Sequence, residues 1–68
     1  MPNTAKKLGD NIRRIRLERG LTQVELSKKL KADRSYMSNV EQGKKNPTLT
    51  TMEKIANVLG VSTEELLK

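Results

Sequence analysis

Glycines divide this chain into short helical pieces. Gly20, Gly43 and Gly60 each follow a run in which apolar side chains recur every three or four positions, the period of an α-helix. Glycine is common just after the last turn of a helix, because it adopts the left-handed backbone conformation without strain. No stretch alternates β-branched or aromatic residues with polar ones as a strand would. The sequence therefore predicts an all-α fold of short helices.

Capping residues mark where these helices begin. Thr22 with Glu25, and Ser62 with Glu65, have the spacing of capping boxes, and Asp33 is a further N-cap candidate. The five predicted helices run from about Lys6 to Arg19, from Thr22 to near Lys31, from Asp33 to about Gln42, from Pro47 and Thr48 to Gly60, and from Ser62 to Lys68. Residues 1–5 are expected to be a frayed terminus.

Length and composition exclude most enzyme chemistry. A chain of 68 residues makes one domain at most, expected here to span residues 1–68. Because it has no Cys and no His, it offers no thiolate or imidazole metal site and no Ser-His or Cys-His nucleophile pair. We therefore expect no catalytic residue, no metal and no cofactor. The lack of Cys and of any apolar run near the roughly 18 to 20 residues of a membrane span favours a cytoplasmic protein.

The charge of the chain is positive and uneven. Its formal net charge is +6, which indicates an anionic partner such as nucleic acid. Residues 1–46 carry twelve basic and five acidic side chains, a net +7, whereas residues 47–68 carry two and three, a net −1. The basic surface is therefore expected on the first three helices.

Two short helices joined by a tight turn on a basic domain are the ingredients of a DNA-binding helix-turn-helix, here over residues 22–42. The residues add a more specific pattern: Gly20-Leu21-Thr22-Gln23-x-x-Leu26, Ser35-x-x-Ser38-x-x-Glu41-x-Gly43-x-x-x-Pro47 and Ile55-Ala56-x-x-Leu59-Gly60-Val61-Ser62. This pattern resembles the phage lambda repressor-like (Xre) helix-turn-helix family over residues 8–67. The resemblance implies a compact five-helix domain in a bacterial or phage regulator of transcription, and the run Arg34-Ser35-Tyr36 is similar to restriction-modification controller proteins.

Two positions depart from the family pattern. Ser27 stands where a small apolar Ala is usual, and its hydroxyl is expected to bond a carbonyl one turn back. Lys31 stands where Gly usually makes the turn, and a left-handed conformation there would cost roughly 1–2 kcal/mol.

The third helix is expected to read DNA bases. Its apolar residues Met37 and Val40 point toward the core, so at about 100° per residue five polar side chains fall on the outward half. These are Arg34, Ser35, Ser38, Asn39 and Gln42. Since the N-terminal part of a recognition helix meets the base edges, Arg34, Ser35 and Asn39 are the expected base readers. The guanidinium matches guanine and the amide matches adenine, and the resemblance implies the same positions.

Six further side chains are expected to contact DNA phosphates: Gln23, Tyr36, Ser38, Lys44, Lys45 and Asn46. Gln23 opens the second helix, where unpaired backbone N–H groups favour an anion, and the family uses this Gln in that role. Lys44, Lys45 and Asn46 follow the recognition helix. Tyr36 lies at the border of the outward face, where packing against the second helix and a hydroxyl bond to phosphate both stay open.

A structural ion pair is expected between the first and third helices. The family pairs Glu41 with a basic residue of the first helix, and Arg16 is the residue that matches. Such a pair would fix how the first helix sits against the recognition helix.

A homodimer is expected, because one such domain reads few base pairs and two recognition helices about 34 Å apart would reach successive major grooves of a pseudo-palindrome. Val61, Leu66 and Leu67 supply the predicted dimer seam, with Val61 and Leu66 turned mainly inward and Leu67 toward the partner.

Other functions fit the sequence less well. The basic amphipathic helix from Lys6 to Arg19 could lie on a membrane, but its apolar side has no aromatic residue. Binding of single-stranded RNA would need stacking aromatics, and the chain has one Tyr. No small-molecule ligand is expected. The alternative kept open is an antitoxin or another protein-interaction module with weak or non-specific DNA binding.

Overall fold

Five helices follow one another along the chain, as the sequence predicts. The computed structural model describes residues 4–68. The helices are α1 (Thr4–Glu18), α2 (Gln23–Leu30), α3 (Arg34–Glu41), α4 (Leu49–Leu59) and α5 (Thr63–Leu67), and residues 4–68 contain no strand. The expected frayed terminus is wrong for Thr4 and Ala5, which already belong to α1; the rest of it, residues 1–3, lies outside the described residues.

Side-chain caps set three of the helix starts. Thr22 and Glu25 form a complete capping box: the Thr22 hydroxyl accepts from the Glu25 N–H at 3.1 Å, and the Glu25 carboxylate accepts from the Thr22 N–H at 2.9 Å. The bond from the Thr22 N–H is the largest cause that lowers the pKa of the Glu25 carboxyl, and the Thr22 side chain and the charges of Lys29 and Lys28 lower it further. The Thr48 hydroxyl caps α4 in the same way.

Of two further predicted side-chain caps, one is formed in part and the other is not formed. The Ser62 hydroxyl accepts from the Glu65 N–H at 3.3 Å, but the Glu65 carboxylate does not return a bond to the Ser62 N–H, so α5 has half of a capping box. Asp33 occupies the N-cap of α3 with extended backbone, yet its side chain caps no N–H. The sequence located both helix starts, while the side-chain rotamers decide whether the cap bond forms.

The core lies where the helices converge. Helix α1 packs on α3 and α5, and α2 packs on α3 and α4. The buried apolar residues are Leu8, Ile12, Ile15, Leu26, Met37, Val40, Ile55, Ala56, Leu59 and Leu66. The predicted inward face of α3 is confirmed by this set, and Leu17 of α1 is exposed. Val24 is 40% exposed, because it lies near the start of α2 on the side opposite Leu26.

Helices α1 and α3 meet at a glycine. Gly9 is buried in α1, and a Cβ built at this position would overlap the Val40 carbonyl oxygen and lie 2.6 Å from that of Glu41. Only a residue without a side chain lets the backbone of α1 come this close to the last turn of α3. The close approach fixes the position of the C-terminal end of α3 relative to α1.

The turn between α2 and α3 is made by a lysine. Lys31 has φ 55° and ψ 40°, the left-handed conformation, and its N–H caps the end of α2. It is the non-glycine residue with positive φ among residues 4–68, whereas Gly20, Gly43 and Gly60 adopt positive φ as predicted. One turn earlier, the hydroxyl of Ser27 donates to the Gln23 carbonyl at 2.8 Å, which satisfies this buried polar group.

Replacing Lys31 with glycine should stabilise the fold. Lys31→Gly removes the Cβ that makes φ 55° costly, so we expect the free energy of unfolding to rise by about 1 kcal/mol. For a domain of this size, that corresponds to a melting temperature about 4–8 °C higher. Lys31→Ala is the control, because it removes the charge and keeps the strained Cβ. Equal melting temperatures for the two variants would contradict the strain at this turn.

Candidate nucleic-acid interface

The outward face of α3 opens into a shallow cleft. Its volume is about 390 Å³, and it is lined by Gln23, Arg34, Ser35, Ser38 and Asn39. Arg34 and Ser35, from the first turn of α3, are exposed, and Ser38 and Asn39 are half-buried one turn further on. The structure therefore brings the three expected base readers together with two of the expected phosphate contacts. Met37 and Val40 hold this face outward because they are fully buried on the opposite side of the helix.

A second cleft adjoins the first and runs between α1 and the end of α3. It has a volume of about 620 Å³ and is lined by Lys6, Asp10, Arg13, Arg16, Gln23, Glu41, Gln42 and Lys44. Gln23 lines both clefts, so they form one continuous surface across the start of α2. We call this surface the two-cleft face.

The contribution of α1 to this face was not predicted from the sequence. Lys6, Asp10 and Arg13 line the second cleft, and their spacing of four and then three residues puts them on one stripe of α1. That spacing is the signal in the sequence for this stripe, but spacing alone does not show which neighbouring helix a polar stripe faces. Lys6 and Asp10 are paired at 3.3 Å, both on exposed side chains.

A buried ion pair lies beneath the second cleft. The Arg16 guanidinium donates to both oxygens of the Glu41 carboxylate, from Nε at 2.8 Å and from Nη2 at 3.0 Å. Its remaining Nη1 donates to the Leu21 carbonyl at 2.9 Å, and the Gln23 amide donates to Glu41 at 3.3 Å. The structure thus forms the pair that the sequence analysis expected. It also holds the side chain of Gln23 at the rim of both clefts.

This arrangement leaves the first turn of α2 open to an anion. The first N–H groups of a helix have no carbonyl partner within it. At the start of α2 the Thr22 hydroxyl accepts from the Glu25 N–H, whereas the N–H groups of Gln23 and Val24 have no hydrogen-bond partner among residues 4–68. The Gln23 amide lies beside them, held by Glu41. Backbone N–H groups and an amide at one helix start are suited to a phosphate oxygen.

Side chains at the edge of α3 are also held in place. The Gln42 amide donates to the Ser38 hydroxyl at 2.9 Å, which leaves the Ser38 proton available to an outside acceptor. Tyr36 is half-buried against the core cluster, and Lys45 Nζ lies 5.8 Å from the centre of its ring. Packing is therefore the role that the structure gives to the Tyr36 ring, and a cation–π contact places Lys45 beside α3. Lys44 and Asn46 are exposed in the same loop.

Leu66 is removed from the predicted dimer seam by its complete burial, which agrees with the inward orientation expected for it. Leu66 is fully buried, and its carbonyl accepts from the Asn11 amide at 2.9 Å, so this residue belongs to the core of a single domain and has no surface left for a partner. Val61 is half-buried against the same core, while Leu67 is 44% exposed. Because neighbouring residues of a helix point in different directions, the burial of Leu66 in the short helix α5 leaves Leu67 on its exposed side.

Other kinds of site are not found in the part of the chain that is described. Within residues 4–68, no cluster of three or more acidic side chains is placed to hold a metal ion. None of the helices there has the length and the apolar character needed to cross a membrane.

Comparison with known protein families identifies a related group. The model of the Helix-turn-helix family matches residues 12–66. An uncharacterized HTH-type transcriptional regulator, y4dJ of Sinorhizobium fredii, is 42% identical over 91% of this chain and 80% of its own length. The immunity repressor protein of Bacillus phage phi105 is 40% identical over 88% of this chain. The chain spans 42% of that repressor, less than half of its length.

Solved structures agree with the fold. The restriction-modification controller protein C.AhdI from Aeromonas hydrophila is 35% identical, with a TM-score of 0.87 over 91% of this chain and 94% of its own. SinR, the master regulator for biofilm formation, in complex with DNA is also 35% identical, with a TM-score of 0.84 over 90% of this chain and 98% of its own. The expected resemblance to phage repressors and controller proteins is confirmed by these relatives.

The buried ion pair can be tested by a double-mutant cycle. Either Arg16→Met or Glu41→Gln alone leaves the other buried side chain without its ionic partner. We expect Arg16→Met to lower the free energy of unfolding by about 3 kcal/mol. The double variant should lose clearly less than the sum of the two, measured by urea denaturation. Arg14→Met with Glu18→Gln is the matched control, because this pair is at 3.4 Å with side chains 56% and 59% exposed, and its coupling should stay below about 1 kcal/mol. A coupling free energy of zero between Arg16 and Glu41 would contradict the proposal that this pair fixes α1 against α3.

Proposed function

We propose that this chain, which belongs to the Xre-type helix-turn-helix family of transcriptional regulators, binds a specific site on double-stranded DNA in a bacterial or phage-infected cytoplasm and thereby represses or controls transcription. The observation that carries the proposal is the two-cleft face. There the exposed start of α3 adjoins the anion-receptive start of α2 and a row of basic side chains. The acids of this face are already paired, Asp10 with Lys6 and Glu41 with Arg16, so they do not oppose a polyanion.

In the proposed complex, α3 lies in the major groove and three side chains meet the bases. Arg34 reads a guanine through its two parallel donors, and Asn39 reads an adenine through its amide. Ser35 adds a permissive contact beside Arg34. The burial of Met37 and Val40 supports this assignment, because a helix anchored on that side presents the other side to DNA.

Phosphates are contacted on both sides of the recognition helix. Gln23 and the first N–H groups of α2 take one phosphate, next to the Ser38 hydroxyl. The other strand is contacted from the loop after α3 by Lys44, Lys45 and Asn46. The Tyr36 ring lies beside the Lys45 ammonium, and the Tyr36 hydroxyl is the remaining phosphate contact. Two phosphate sites flanking α3 would fix its register on the duplex.

Two copies of the chain act together in this proposal. A homodimer places two recognition helices about 34 Å apart on a pseudo-palindromic site. The exposed Leu67 meets the partner, with the half-buried Val61 at the edge of the contact. Binding then depends on protein concentration through dimerisation.

Selection from a random duplex library tests the proposed base and phosphate contacts. We expect a two-fold-symmetric site to be enriched, and Arg34→Ala to relax one base position per half-site with a loss of about 1–3 kcal/mol. Lys45→Ala should weaken all duplexes alike and reduce the slope of log affinity against log salt by about 1. If no sequence is enriched and binding depends only on salt, the assignment of base readers is wrong.

The dimer contact is tested by sedimentation of the protein alone and with the selected duplex. Leu67→Asp places a charge in the proposed contact, so we expect a shift from dimer to monomer without loss of the fold, because Leu67 is outside the core. Leu49→Asp is the matched control, since Leu49 is 65% exposed at the start of α4 and should leave the dimer intact. A wild-type monomer, with and without DNA at micromolar concentration, would refute the dimer.

A further inference from the structure

A third cleft lies apart from the two-cleft face, between the end of α2 and the middle of α4. It has a volume of about 260 Å³ and is lined by Lys29, Leu30, Lys31, Lys54, Asn57 and Val58. None of these residues lines either of the other two clefts, and none comes from α3. We call it the α2–α4 groove.

The α2–α4 groove combines an apolar floor with a basic rim. Leu30 and Val58 are half-buried and packed against the core, so each leaves part of its surface in the groove. The three lysines at the rim are exposed, and none of them forms an ion pair within residues 4–68. The acidic group nearest along α2 is Glu25, one turn before Lys29 and held in the Thr22 capping box. No acidic side chain lines the groove itself.

The backbone at Lys31 is an independent observation at the same place. Lys31 holds a left-handed conformation that glycine adopts more easily, and its side chain joins the rim of the groove. Strained backbone conformations of this kind are enriched at binding and active sites. Here the side chain contributes one of the three rim charges.

We propose that the α2–α4 groove binds an acidic peptide segment of a partner protein, in which an apolar side chain is flanked by carboxylates. The apolar side chain would cover Leu30 and Val58, and the carboxylates would pair with Lys29, Lys31 and Lys54. An inorganic or nucleic-acid phosphate would gain nothing from the apolar floor, whereas an amphipathic peptide uses both parts. The groove is also smaller than the roughly 300–1,000 Å³ of small-molecule pockets, which suits one or two side chains of a peptide.

This groove lets the domain hold protein and DNA at once. Helix α2 presents its first turn to the two-cleft face and its last turn to the groove, so the two ligands share no contact residue. Exposed ion pairs at a rim give weak, rapidly formed complexes rather than tight ones. The inference does not rest on the proposed DNA function, and the test below uses the free protein, so either can fail alone.

The probe is an eight-residue peptide with two central leucines flanked by six glutamates, titrated into the ¹⁵N-labelled 68-residue chain at about 0.15 M salt. We expect amide shifts to change at Lys29, Leu30, Lys31, Lys54 and Val58, and the residues of α3 to stay unmoved. A second peptide with serines in place of the leucines should bind about tenfold more weakly, because it loses the contact with the apolar floor.

Matched variants separate the groove from the overall charge. Lys29→Gln with Lys54→Gln should weaken the leucine peptide about tenfold, since each exposed pair contributes up to about fivefold. Lys7→Gln with Lys68→Gln lowers the net charge equally, at exposed positions outside the groove, and should change the affinity less than twofold. Lys31→Gly keeps the fold, relieves the strained turn and should still lose about threefold to fivefold in affinity.

Three results would overturn the proposal. Equal weakening by the two double variants would mean that only the net charge attracts the peptide. Shifts confined to Arg34–Lys45 would mean that the peptide imitates DNA on the two-cleft face. Groove shifts that grow with protein concentration in the absence of peptide, together with shifts at Glu64, Glu65 and Leu67, would mean that a second copy of this chain occupies the groove.

Discussion

The buried ion pair between Arg16 and Glu41 is the interaction on which the interface depends. It joins α1 to the last turn of α3, and through the Leu21 carbonyl and the Gln23 amide it also reaches the start of α2. A buried pair of this kind is weak evidence for net stability, because desolvation offsets much of the attraction. Its value here is geometric: the three elements that form the two-cleft face are held in one relative orientation before any ligand arrives.

The short helix α2 serves two surfaces with its two ends. Its first turn, capped by Thr22 and Glu25, keeps N–H groups free beside Gln23, and its last turn is closed by Lys31 above the α2–α4 groove. With eight residues, the helix could not maintain both ends by itself, since isolated helices of that length are marginal. Burial of Leu26 and Ser27 against the neighbouring helices stabilises it instead.

Most of the fold could be predicted from the sequence because local signals and the core pattern agree. Glycine stops, caps and the 3.6-residue period place all five helices to within a few residues. Contacts between residues far apart in the sequence were harder to predict. The full burial of Leu66 depends on α1 and α5 meeting, and the Lys6, Asp10 and Arg13 wall of the second cleft depends on where α1 crosses α3. The Arg16–Glu41 pair could be predicted only because the family resemblance indicated which two positions are paired.

The glycine contact between α1 and α3 has a consequence for the duplex. With no side chain at Gly9, the backbone of α1 rests on the last carbonyl groups of α3, and this close contact limits how far α3 can tilt. In the proposed complex, a rigid helix cannot adapt to a major groove of the wrong width, so the DNA would have to bend or twist to meet it. The energy of that deformation varies with base sequence, even at base pairs that no side chain touches. Part of the preference for one DNA sequence over another would therefore come from how easily each sequence deforms.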